Sequence, residues 1–128
     1  MRNGLLFAAV LLVAACGRIN HPTPTLRAPS FITGTYVTYE KSRFCVTWDT
    51  LIISKDISQQ NLYAVDRQSA YQWSLERSIF PVQTVWTGWK GVYDDSSHIL
   101  NGIHADNLQF FPEQNTVRLS GVLYWRVE

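Results

Sequence analysis

From residue 31 to the end of the chain, apolar residues never keep a 3.6-residue period. They come instead in short runs of β-branched and aromatic side chains, cut by polar turn residues. Such a chain has no amphipathic helix to build on and must satisfy its backbone between strands. The runs predict strands over 34–40 (Gly-Thr-Tyr-Val-Thr-Tyr-Glu), 44–47 and 51–54, with a break at Lys41, Ser42 and Arg43. A polar loop follows over 56–61, then a hairpin of 62–66 and 70–75 around Arg67, Gln68 and Ser69. Residues 77–81 read as irregular, with one helical turn accommodated over 74–79. The next strand, 83–93, is long, and Gly88 and Gly91 inside it mark a bulge or a bend. Asp94 to Ser97 form a turn, 98–103 and 108–111 a hairpin, and Pro112 opens a turn that ends at Asn115. The last segment, 116–127, reads as one strand. Val117, Leu119, Gly121, Leu123, Trp125 and Val127 share one face, and Arg118, Ser120, Tyr124 and Arg126 share the other.

About eight short strands joined by short turns imply an all-β fold: a small antiparallel meander curled into a barrel or half-barrel, which removes exposed edges. A two-sheet β-sandwich is the alternative. A membrane-spanning barrel needs about 9–11 residues per strand, and most of the expected strands are shorter.

The first 30 residues obey different rules. Met1 and Arg2 precede an apolar run over 5–13, followed by the small residues Ala14 and Ala15. That is the layout of a signal peptide, and the run is shorter than the ~20 residues of a spanning helix. Leu12-Val13-Ala14-Ala15-Cys16 resembles a bacterial lipobox, so the expected cut leaves Cys16 as the site of lipid attachment. Pro22, Pro24 and Pro29 then oppose helix and ladder alike. The expected organisation is a signal peptide over 1–15, a lipidated cysteine and disordered tether over 16–30, and an antiparallel β domain over 31–128. The tether reaches about 45 Å fully extended and on the order of 20 Å as a coil. Several acyl chains, at about 0.8 kcal/mol per buried CH2, hold a protein on a membrane durably. Gly17 is not the aspartate that retains lipoproteins in the inner membrane of enteric bacteria, so the expected location is the outer membrane.

Charge and cysteine usage narrow the chemistry. Without Arg2, the ten remaining Lys and Arg balance ten Asp and Glu. A neutral chain lacks the basic face a nucleic-acid binder needs. With Cys16 lipidated, Cys45 has no internal partner and sits in an apolar Phe-Cys-Val triplet, which reads as a buried small hydrophobe. His98 and His104, with Asp94, Asp95 and Asp106 nearby, read as turn residues rather than a converging metal set. Glu40 and Asp49 are the one carboxylate pair to weigh for acid–base chemistry, and they read as solvated strand-end residues. There is no Gly-x-Ser-x-Gly, no His-Glu-x-x-His and no phosphate-binding glycine loop. No cofactor and no catalytic activity are expected.

Sixteen Trp, Tyr and Phe follow Cys16. A domain this small buries only roughly 65% of its unfolded surface, so some rings must stay exposed. Parity assigns Trp89 and Tyr93 to the core beside Leu123 and Trp125. It places Trp86 and Tyr124 on outward faces, as a candidate binding surface for a glycan, lipid or partner protein.

Gly34-Thr35-Tyr36-Val37, Asp49-Thr50-Leu51, Tyr71-Gln72, Trp89, Tyr93-Asp94, Phe111-Pro112-Glu113 and Gly121-Val122-Leu123-Tyr124 stand in an order that resembles small lipoproteins of Bacteroidota, some encoded beside conjugative-transposon genes. The resemblance spans the lipobox and most of 31–128, and Cys45-Val46-Thr47-Trp48 departs from it. The Gly-Thr-Tyr opening also resembles, more loosely, the start of lipocalin-like domains. The resemblance implies a β domain on the outer membrane and supplies no catalytic residue. Two functions fit these readings. One is a membrane-anchored, non-enzymatic binding or accessory module that contacts an envelope protein or small ligand. The other is a lipocalin-like carrier of a small hydrophobic ligand.

Overall fold

A computed structural model describes residues 29–127 of the chain. The signal segment, Cys16 and all of the 16–30 tether except Pro29 and Ser30 lie outside the described residues.

The β-branched and aromatic runs form nine strands: β1 (Gly34–Lys41), β2 (Cys45–Lys55), β3 (Leu62–Leu75), β4 (Ser78–Ile79), β5 (Gln83–Asp94), β6 (Ile99–Gly102), β7 (Leu108–Phe111), β8 (Thr116–Leu119) and β9 (Val122–Val127). They make a single sheet in the order β2-β1-β9-β8-β7-β6-β5-β3-β4, and an additional β2–β3 pairing closes it. Only β4 stands outside the ring. The other strands form an antiparallel up-and-down barrel, which replaces the sandwich alternative and leaves the ring without a free edge at its closed level.

One side chain in two points inward. Tyr36 meets Leu51 across β1 and β2, Ile53 meets Val65, and Val65 meets Trp89. Tyr93, Leu100, Leu108, Phe110, Val117 and Tyr124 continue the same layer around the ring. Glycine is required where β5 and β6 approach closely. A Cβ on Gly91 would lie 2.8 Å from Leu100 Cγ and 2.9 Å from the Asn101 carbonyl. One barrel end is plugged by the segment before β1. Ile32 is fully buried, the Tyr36 hydroxyl donates to the Phe31 carbonyl, and the Phe31 ring meets the rings of Tyr93 and Phe110, each at 6.1 Å. At the opposite end β2, β3 and β5, with 11, 14 and 12 residues, outrun β6, β7 and β8, with four each. The long strands therefore continue as an open sheet beyond the closed ring.

Four expectations change. Residues 62–75 are one strand rather than a hairpin, because Arg67 and Ser69 are not turn residues: both point inward to the Asp49 carboxylate. Residues 45–55 are likewise one strand. The 74–79 stretch is no helical turn, since Glu76 has φ 53° and the chain reverses to pair Leu75 with Ser78. The 116–127 stretch is two strands. Ser120 and Gly121 have φ 48° and 81°, the two positive values of a type I′ hairpin turn, and Leu119 pairs with Val122. A two-residue turn joins an odd-numbered residue to an even-numbered one on the same face, so the inward parity flips at this point. Tyr124 goes into the barrel, 1% exposed, and Trp125 goes outside it, 52% exposed. Leu123 also leaves the core face and is only partly covered. Trp89 and Tyr93 do join the core, and the β3–β5 ladder passes Gly88 without a bulge. Strand lengths also correct the membrane-barrel argument: β2, β3 and β5 are long enough to span, whereas β6, β7 and β8 are not.

Candidate functional site: an aromatic groove on the outer wall

The outward positions of β1, β2 and β9 gather the exposed rings. Tyr36 points in, so Val37 and Tyr39 flank the inward Thr38 and point out; Asp49 points in, so Trp48 and Thr50 point out. Register brings these together. Tyr39 lies opposite Trp48, with ring centroids 6.0 Å apart and planes tilted by 54°. Trp125 lies opposite Val37 on the other side of β1. Pairing of β9 with β1 stops at Val37, so a notch opens beside the rest of β1. The result is a groove of about 410 Å³ lined by Val37, Tyr39, Trp48, Thr50 and Trp125. Tyr39, Trp48 and Trp125 are 56%, 40% and 52% exposed, and rings gathered in this way mark an interaction surface more often than single scattered ones do.

A charged network lies directly beneath it. The Asp49 carboxylate accepts from Arg67 Nε at 3.1 and 3.0 Å, from Arg67 Nη2 at 2.5 Å, from Ser69 Oγ at 3.1 Å and from Tyr124 OH at 2.8 Å. Burial alone would raise its pKa. The hydrogen bonds from Arg67 and Tyr124, the Arg67 charge and the Ser69 hydroxyl together outweigh burial and hold the carboxyl below its ordinary range. Burial, and then the hydrogen bond to Asp49, push the Tyr124 phenol up, so it stays a donor at neutral pH. Arg67 is held more firmly protonated by the Asp49 hydrogen bonds. The network ties β2 to β3 and, across β1, to β9. Its two strand anchors, Asp49 and Tyr124, are the sequence neighbours of Trp48 and Trp125. An anchor on the inside therefore holds the stretch of strand from which each ring projects.

Of the two residues read as a binding surface, Trp86 faces outward at 62% exposure, and Tyr124 does not. They lie on opposite faces of the wall. Trp86 shares an outward row with Gln68, Thr50, Val37 and Trp125 through successive register pairs. Asp49, expected as a solvated strand-end residue, is instead buried in mid-strand, because Arg67, Ser69 and Tyr124 supply the hydrogen bonds that water would otherwise give it. His98 Nδ1 sits 2.8 Å from the Tyr93 hydroxyl, and Cys45 is partly buried with Sγ 3.8 Å from Thr47 Oγ1. Inside the barrel, the rings of Tyr36, Tyr63, Tyr93, Phe110 and Tyr124 occupy the lumen. A recess of about 240 Å³ remains beside Arg67, Trp89, Ala105, Asp106 and Leu119.

Sequence reasoning missed Tyr39 and Trp48 as site residues and sent Trp125 to the core. The usable signal was Ser120-Gly121 between alternating apolar runs, which marks a two-residue hairpin. No family model matches the chain, and neither a curated protein nor a solved structure matches it.

Proposed function

We propose that the chain is a non-enzymatic binding module of the cell envelope, anchored to the outer membrane through a lipid on Cys16. It takes a flat apolar surface of an envelope protein or small ligand on Tyr39, Trp48 and Trp125. The small β-barrel is compatible with a binding module of lipocalin-like kind. The observation that carries the reading is the groove of exposed rings braced from inside by the buried Asp49 network. Exposed rings held rigidly give contact area at little loss of side-chain freedom, which is why aromatic anchors dominate interfaces. The test is crosslinking in cells that make the full chain, with partners identified by mass spectrometry. Replacing Trp48→Ala and Trp125→Ala together is expected to cut capture by about tenfold or more, since such anchors contribute roughly 2 kcal/mol each. The circular dichroism spectrum should not change. Undiminished capture would sink the groove. Cys16→Ala should move the protein from the membrane to the soluble fraction.

A second reading, a carrier of a small hydrophobic ligand, draws on the barrel itself and on the recess beside Arg67 and Trp89, where Trp89 Nε1 is buried without an acceptor. It requires one apolar fluorophore bound per chain, with uptake indifferent to the Trp48 and Trp125 replacements.

A further inference from the structure

The part of β5 that runs beyond the closed ring has a neighbour on one side only. Residues 83–92 pair with β3, whereas pairing with β6 begins only at Gly91. The Lys90 carbonyl accepts from the Ile103 amide on the β6 side, and the Tyr93 amide donates to Asn61 on the β3 side. In an antiparallel strand the amide and carbonyl of one residue point the same way, and the direction alternates along the chain. Thr84, Trp86 and Gly88 therefore present their N–H and C=O groups to open solvent, and residues 81–88 are all exposed.

This edge is unguarded. Proteins usually blunt free edges with charge, proline or a bulge. The other free edge of the open sheet, on β1 beyond Val37, carries Glu40 and Lys41. Gln83-Thr84-Val85-Trp86-Thr87-Gly88 carries no charge and no proline. The register changes just before it, where two β3 residues, Gln72 and Trp73, face Phe80, Pro81 and Val82.

We propose that the open edge of β5 docks the same edge of a second copy of this chain, antiparallel, about a two-fold axis at Trp86. The register follows from which groups are free. Trp86 opposes Trp86 of the second copy, and Thr84 opposes Gly88 in both directions. Every free amide and carbonyl of Thr84, Trp86 and Gly88 then finds a partner. The two indoles meet on the outer face, and Val85 meets Thr87 on the inner face. No charge opposes its like, which an isologous contact demands because each residue meets its own environment. An extended segment of another protein fits the same edge chemically, but nothing in the groove or edge charges selects one.

Two measurements on the full chain in detergent decide it. Sedimentation over a concentration series is expected to show a reversible dimer, because so short a ladder buries less than the ~1,600 Å² of a standard interface. Trp86→Lys, which sets two ammonium groups face to face, should weaken that dimer about tenfold or more with an unchanged thermal midpoint. The second measurement uses a Cys16→Ser, Cys45→Ser background. A directly opposed pair lies about 5.5 Å apart at Cα, inside the disulfide range. Trp86→Cys should therefore crosslink to itself readily, and Thr84→Cys, whose partner is Gly88, should do so about tenfold less. A chain that stays monomeric throughout, a Trp86→Lys dimer as tight as the original, equal crosslinking at both positions, or dimers that form only with a foreign protein bound would each overturn the proposal.

Discussion

At the scale of single residues, Asp49 and Tyr124 show how a side chain can matter to a surface it never reaches. The carboxylate is 5% exposed and keeps its charge because Arg67, Ser69 and Tyr124 all donate to it. Tyr124→Phe removes one donor from a buried charge and is expected to cost about 1.5–3 kcal/mol. Asp49→Asn leaves Arg67 without its counter-ion and should cost at least as much. Urea unfolding of both single variants and the double variant tests this. The double variant should fall short of the sum, because the two residues share one hydrogen bond. The sequence displayed Asp49 as a polar residue at a strand start, and Arg67 and Ser69 as a turn. Nothing local distinguishes a polar residue that faces water from one that faces a buried partner eighteen residues away.

At the scale of elements, the β8–β9 hairpin decided which rings are available. The alternation over 116–127 was legible and correct on each side of Ser120-Gly121, but the turn between them exchanged the faces. Gly121 has φ 81°, and a Cβ there would meet no neighbouring atom within 4 Å. Any loss on substitution is therefore conformational. Gly121→Ala is expected to destabilise the protein by about 1–2 kcal/mol, whereas Ser120→Asn, which suits a left-handed turn position, should be neutral or stabilising. Thermal unfolding of the two variants checks the sign of each. If both variants lose stability alike, the turn type is wrong.

At the scale of the whole molecule, the barrel is built from tyrosines as much as from aliphatic residues. Tyr36, Tyr63, Tyr93 and Tyr124 are all buried, and burial is the largest cause raising each phenol above its ordinary value, Tyr93 to about 12. A raised folded-state pKa contributes stability that is whole below the unfolded value near 10 and is lost as pH climbs through the folded values. Above about pH 10 the unfolded chain releases protons that the native barrel retains, so the slope of stability with pH is negative. The absorbance change of the four buried tyrosines should accompany loss of the circular dichroism signal in a cooperative alkaline transition above pH 10; release of all six phenolic protons from a barrel that keeps its folded spectrum would contradict the packing. The runs and turn residues alone determined that this chain is antiparallel β and where most strands begin, and they left a curled sheet and a two-sheet sandwich both open, because what they report follows from spacing and side-chain shape over a few neighbouring residues. Only the tertiary structure decided that the curl closes through β2 and β3, that Tyr124 is a core residue, and that Tyr39, Trp48 and Trp125 form the groove. Each of those depends on register between strands far apart in the chain, and on a two-residue turn that exchanges inside and outside.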